Sequence, residues 1–180
     1  MRTQPKIARR FLVPAGWPAA AAQQTLESVQ GYSPVGSADG EMRVRASGDS
    51  YFLALGSGRG PVREELEIGI TEDVFQALWR TTDGRRVRKK RSSIAQDGVL
   101  IEVDEFEGVH AGLRLAEVGF SGEADARAFV APSWFGQEVT GDVRFENACL
   151  AEHGMDLVRS YSVSHRSLAF AAREEWATPR

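Results

Sequence analysis

Apolar and polar residues alternate with a two-residue period along much of the chain. The clearest run is residues 62–70, where Val62, Leu66, Ile68 and Ile70 fall on one side of a predicted strand and Arg63, Glu65 and Glu67 on the other. The same arrangement recurs: Arg43 and Arg45 flank Val44, Glu102 and Asp104 flank Val103, Lys89 and Arg91 flank Lys90, and Glu117 and Gly119 flank Val118. Residues 6–13 read as a first strand, with Ile7, Phe11 and Val13 opposed to Lys6, Ala8 and Arg10. Further strands are predicted at 41–46, 49–55, 85–93, 99–106 and 112–120, several of them entered through Gly48-Asp49, Asp83-Gly84 and Asp97-Gly98. Residues 56–61 form a hairpin-length connection into 62–70. Helical spacing is read at 19–29, closed by Gly31; at 71–80, capped by Thr71; and over the alanine-rich stretch 123–129, with Ser121 as its cap. From Pro132 onward the pattern is loop and short helix.

Seven or eight strands joined by short turns, with helices inserted rather than alternating, predict an α+β fold that is mainly antiparallel β. The charged faces then have two placements. On the outside of an open sheet they would be solvated ion pairs. Inside a closed sheet, with the apolar faces turned out toward covering helices, they would line a cavity. There Arg10, Arg43, Arg45, Arg63, Lys89 and Arg91 would meet Glu65, Glu67, Glu102, Asp104 and Glu117. Burying so many ions is costly unless they are paired or bound to something. Arginine forks suit phosphate oxygens, and paired carboxylates suit hard divalent cations.

Composition narrows the field. The chain has 180 residues, 42% hydrophobic and 26% charged, with a formal net charge of −3. Those are globular values, and the charge gives no bulk drive toward nucleic acid or anionic membrane. No apolar run is long enough to span a membrane, and no apolar h-region opens the chain, so a cytoplasmic protein is expected. A single cysteine, Cys149, cannot form an internal disulfide and reads as a small structural thiol. The three histidines (His110, His153 and His165) share no metal-ligand spacing. There is no Gly-x-Ser-x-Gly, and Gly56-Ser57-Gly58 is followed by no Gly-Lys-Ser/Thr. The basic run 85–91 splits by strand alternation, with Lys89 and Arg91 on one face and Arg86, Arg88 and Lys90 on the other, which argues against a nucleic-acid partner. Trp79, Phe129, Trp134 and Phe135 are expected to cover the sheet rather than to stack on a ligand.

The order and spacing of several segments carry a resemblance. They are Lys6-Ile-Ala-Arg-Arg-Phe-Leu-Val13, Arg43-Val-Arg45, Tyr51-Phe-Leu-Ala-Leu-Gly56, Arg63-Glu-Glu-Leu-Glu67, Phe75-Gln-Ala-Leu-Trp79 and Lys89-Lys-Arg91. Ile101-Glu-Val-Asp-Glu-Phe106, Gly112-Leu-Arg-Leu-Ala-Glu-Val-Gly-Phe120 and Pro132-Ser-Trp-Phe-Gly-Gln-Glu-Val-Thr-Gly-Asp142 continue the series. Over residues 6–154 the chain resembles the CYTH, or triphosphate tunnel metalloenzyme, family. The resemblance implies a closed antiparallel tunnel of eight strands with flanking helices, formed by residues 1–154. Residues 155–180 would be an extension, packed on that domain or trailing from it. It implies a triphosphate or nucleotide triphosphate held by Arg10, Arg43, Arg45, Arg63, Lys89 and Arg91. It further implies Mg²⁺ or Mn²⁺ (one ion only, on the residues retained) on Glu65, Glu67 and Glu117, with Lys89, Glu102 and Asp104 as catalytic candidates. The implied oligomeric state is open, a homodimer included.

The chain also departs from the family pattern. Where the family opens with Glu-x-Glu-x-Lys, this chain has Lys6, Ala8 and Arg10. A lysine is replaced by Gly56, and the second carboxylate of the late strand by Gly119. These changes remove more negative than positive charge from the expected interior. Three readings therefore stand: a metal-dependent hydrolase of inorganic or small organic triphosphate, with activity weakened by the lost ligands; a non-catalytic triphosphate-binding protein; and, last, a class IV type adenylate cyclase. Glu41, Glu105 and Glu138 are candidates to replace the missing glutamates in space.

Overall fold

The computed structural model describes residues 6–33, 40–57 and 62–159. Eight strands form one antiparallel sheet: β1 (Lys6–Leu12), β2 (Gln24–Tyr32), β3 (Gly40–Ser47), β4 (Ser50–Ser57), β5 (Val62–Ile70), β6 (Arg86–Gln96), β7 (Val99–Phe106) and β8 (Arg114–Phe120). Three short helices accompany them: α1 (Glu72–Trp79), α2 (Glu123–Ala128) and α3 (Asn147–His153). The expected α+β class, dominated by antiparallel strands, is what the chain adopts. The strands pair in the order β1-β5-β4-β3-β2-β6-β7-β8, and β8 pairs back onto β1 along residues 7–12. The seam between β1 and β5 is short, with Lys6 opposite Arg63 and Ile7 opposite Val62.

Local chemistry accounts for most element boundaries. The Thr71 hydroxyl accepts a hydrogen bond from the Val74 backbone N–H at 3.4 Å and starts α1, with Glu72 and Asp73 in the first turn. Asp97 and Gly98 both have positive φ (50° and 78°), the geometry of the tight hairpin that joins β6 to β7. The helix predicted at 19–29 is a correction. Only Ala19–Ala21 makes a helical turn, and from Gln24 the chain is a strand hydrogen-bonded to β3 on one side and β6 on the other. Helix propensity of an alanine run is a weak preference, and two flanking strands satisfy the backbone of this segment more completely. Gly31 is needed inside that strand: a Cβ there would collide with the Thr82 side chain and the Trp79 ring.

The two faces of the sheet are covered differently. On one, Phe11, Ile94, Ile101, Val103, Ala116 and Val118 are buried beneath Trp17, Phe129, Trp134 and Phe135. Each such side chain contributes about 1.5–3 kcal/mol by leaving water. On the same face α1 lays Phe75 against Tyr51 at 5.1 Å and Trp79 at 5.3 Å. The four expected cover residues, Trp79, Phe129, Trp134 and Phe135, are found as covers. This is the outer face. At one end of the inner face Tyr32, Val87, Phe106 and Leu115 join Leu113, Val139, Phe145, Leu150 and Val158 in an apolar plug beneath α3. His110 secures it, with Nε2 2.8 Å from the Leu150 carbonyl oxygen. Among the described residues no helix is long and apolar enough to cross a membrane.

Candidate functional site

The register decides which side chains share the inner face. Residues directly opposite one another in neighbouring strands point the same way. Arg10 faces Glu117, Glu117 faces Glu102, Asp104 faces Arg91, and Lys89 faces Ser28. Gln30 faces Arg45, Arg45 faces Phe52, Arg43 faces Ala54, and Ala54 faces Glu67. Followed around the sheet, this parity brings Arg10, Arg43, Arg45, Glu67, Lys89, Arg91, Glu102, Asp104 and Glu117 onto the inner face. The apolar residues between them form the outer core. Arg63 and Glu65 stand opposite Lys6 and Gly56 in the register, and the side chains of Lys6, Arg63 and Glu65 lie outside the described residues.

The ionic residues gather in two groups. The first lies on β6, β7, β8 and β1. Arg91 donates from Nε to Asp104 Oδ1 and from Nη2 to Asp104 Oδ2, both at 2.7 Å, and from Nη1 to Glu102 at 2.9 Å. Lys89 donates to Asp104 at 2.5 Å and is 0% exposed. Arg10 donates to Glu117 at 2.8 Å and to the Phe145 carbonyl of the plug at 3.1 Å. Three cations thus meet three carboxylates. The second group lies on β3, β4 and β5. Here Arg45 donates to Glu67 at 2.7 Å with its guanidinium 4.5 Å from the centre of the Phe52 ring, and Arg43 lies 3.4 Å from the same carboxylate. Among the described residues, Arg43 and Arg45 meet at this carboxylate.

Burial sets the protonation of the first group. It pushes the Lys89 ammonium down, Arg91 pushes it further, and Asp104 recovers only part, leaving it at about 8. Burial would raise the Asp104 carboxyl, but Arg91 and then Lys89 reverse that and hold it below the ordinary carboxylate range. Burial likewise works against the Arg91 charge, and Asp104 and Glu102 overcome it, so the guanidinium stays charged.

Several candidate residues are placed elsewhere. Glu105 lies on the outer face with Arg114 at 2.9 Å, and Glu138 is gripped there by Arg9 at 2.7 Å. Neither stands in for a missing inner glutamate. Glu41, opposite Gly56 in the register, has its side chain outside the described residues. Lys90 and Arg88 are exposed on the outer face, away from Lys89 and Arg91. The inner residues of β2 (Ser28, Gln30 and Tyr32) escape sequence reasoning, because the alanine-rich lead-in gives their segment a helical signal. Tyr32 donates to Gln30 at 3.0 Å, and Asn147 donates to it at 3.1 Å. The alternation of Leu26, Ser28, Gln30 and Tyr32 with Glu27, Val29 and Gly31 was the available signal.

A divalent cation fits poorly among these groups. Glu102 and Glu117 face each other across β7 and β8, yet each already holds an arginine. Glu67 is shared by two arginines, and Asp104 by Arg91 and Lys89. Among the described residues no three His, Cys, Asp or Glu side chains come together as a ligand group.

Comparison with known proteins gives related chains. An inorganic triphosphatase of Nitrosomonas europaea is 46% identical over 123 residues, covering 68% of this chain and 82% of that protein. An inorganic triphosphatase of Acetivibrio thermocellus is 32% identical over 120 residues, covering 64% of this chain and 74% of that protein. A crystal structure of an inorganic triphosphatase superposes with a TM-score of 0.64 at 41% identity, over 84% of this chain and 96% of the other. No family model matches the chain.

Proposed function

The chain belongs to the CYTH, or triphosphate tunnel metalloenzyme, family, and on that membership we propose that the inner face of its sheet is a tunnel that binds and hydrolyses inorganic triphosphate or a small organic triphosphate. The observation that carries this reading is the gathering of guanidinium groups on the inner face, with Arg43 and Arg45 meeting at Glu67 and Arg45 Nε buried without a hydrogen-bond partner among the described residues. A phosphate oxygen supplies that acceptor, and a phosphate chain takes arginine in the bidentate form it prefers. An eight-stranded barrel is wide enough for one small ligand where side chains do not fill it. The apolar plug fills one end of this one and leaves the ionic stretch as the remaining interior.

Arg43 and Arg45 are assigned the first grip on the phosphates, with Arg10, Arg63, Lys89 and Arg91 completing the cationic lining. In hydrolysis, water attacks a terminal phosphorus, the bridging P–O bond breaks, and pyrophosphate departs with the electron pair. Guanidinium groups stabilise the charge spread over the phosphoryl oxygens. Among the catalytic candidates, Glu102 is paired with Arg91 alone among the described residues and is assigned to take the proton of that water. Asp104 and Lys89, bonded to each other, are assigned to hold Arg91 in place. The described carboxylates Glu67, Glu102, Asp104 and Glu117 are each paired with an arginine and do not form a ready seat for Mg²⁺ or Mn²⁺.

A second reading, a triphosphate-binding protein without turnover, is favoured by Ala8 and Gly119, which face each other beside Arg10 and Glu117 and carry no ligand atoms. One paired experiment separates the two. Phosphate release from inorganic triphosphate is followed with Mg²⁺ or Mn²⁺ present, while calorimetry follows binding. Release that disappears in Glu102→Gln supports hydrolysis; heat without release selects the binding protein. The absence of both would remove the tunnel reading.

A further inference from the structure

We propose that this chain takes up triphosphate as the bare anion, without a divalent cation first seated on the protein, and that any Mg²⁺ or Mn²⁺ in the complex arrives on the phosphates. The proposal rests on the triphosphate reading above and concerns how that same site is filled. It follows from two observations on opposite walls of the interior.

The first is the state of the carboxylates. A hard divalent cation needs several oxygen ligands in a near-octahedral shell. On the β6–β8 and β1 wall, Glu102 and Glu117 come nearest to supplying them, but Arg91 lies 2.9 Å from one and Arg10 2.8 Å from the other. A cation entering between them must break both charge-assisted pairs and then sit beside the displaced guanidinium groups. Among the described residues no third carboxylate, histidine or cysteine joins them. The neighbours of this pair on the inner face of β1 and β8 are Ala8 and Gly119, opposite each other. A Cβ at Gly119 would meet nothing within 4 Å, so open space lies where further ligand atoms would have to reach in.

The second observation concerns donors. On the β2–β3 side, Arg45 Nε and Ser28 Oγ are buried without a hydrogen-bond partner among the described residues. Buried donors are rarely left in that state, and an anion oxygen satisfies both kinds. The interior therefore lacks acceptors, and its described carboxylates are already paired. Phosphate oxygens answer the first condition, whereas a metal ion answers neither.

Calorimetry of the full chain with inorganic triphosphate, in EDTA and then in excess Mg²⁺, tests this directly. The expected dissociation constants agree to within about threefold, less than half a decade of affinity. Mn²⁺ titrated alone, followed by the electron paramagnetic resonance signal of the free ion, should show no stoichiometric uptake. The double variant Ala8→Glu/Gly119→Glu adds two carboxylates beside Glu117. It should gain Mn²⁺ uptake and make triphosphate binding metal-stimulated by about tenfold or more. If the variant does not fold, the wild-type titrations decide alone. Triphosphate binding that vanishes in EDTA and returns with Mg²⁺, or Mn²⁺ uptake by the wild-type protein alone, overturns the inference and leaves the triphosphate reading standing. No binding under either condition overturns both.

Discussion

The two inner walls use the same residue types to different ends. On the β6–β8 and β1 wall, three described cations meet three described carboxylates, Lys89 and Asp104 are buried, and Arg91 is held by three hydrogen bonds. On the β3–β5 wall two arginines share Glu67, and Arg45 rests over an aromatic ring. A balanced and buried cluster has little charge left to offer a ligand, and removing one member strands the others. A cluster with a donor still unanswered, as Arg45 Nε is among the described residues, retains attraction for an anion. Ionic residues on a common face therefore need not share a role: on the proposed function the first wall would shape the site and the second would grip the anion.

The largest effect that sharpens this contrast is Asp104→Ala. It leaves Lys89 and Arg91 without their shared carboxylate, and a loss of about 3–5 kcal/mol in unfolding free energy is expected by urea titration. A loss under 1 kcal/mol would show that the wall is more hydrated than its burial indicates. Next, Arg45→Ala should weaken inorganic triphosphate binding by about 10- to 100-fold, as expected for lost charge-assisted bonds. Its unfolding midpoint should stay close to wild type, and the reverse pattern would exchange the roles of the two walls.

The pH dependence comes third. Lys89 sits at about 8 in the folded protein, below the ordinary lysine value, so between the two the unfolded chain holds the extra proton. Stability therefore rises with pH across that window, and the cost of holding the charged ammonium in the fold is fully present below pH 8. Lys89→Met should remove this slope, as read from unfolding curves at a series of pH values. The smallest effect is expected from Arg88→Ala with Lys90→Ala, on the outer face. Stability should shift by less than about 0.5 kcal/mol per site, with triphosphate affinity unchanged. A clear loss of affinity would move the anion site outside the sheet.

The sequence determined the strands and the face to which each charge belongs. Alternation around Val44, Val103 and Val118 assigned Arg43, Arg45, Glu102, Asp104 and Glu117 to one side, because side-chain period in a strand is a local property of the backbone. The hairpin at Asp97-Gly98 and the Thr71 cap were legible for the same reason. Residues 24–32 were not. Their strand state is stabilised by β3 and β6, which are distant in sequence, and an alanine-rich lead-in gave the opposite local signal. Partner choice was also out of reach. Only the register around the sheet makes Asp104 the shared acceptor of Lys89 and Arg91, sets Glu102 opposite Glu117, and brings Arg43 and Arg45 together at Glu67. Charge on a strand face is written residue by residue, whereas neutralisation depends on which strands meet across the sheet, and tertiary structure alone decides that.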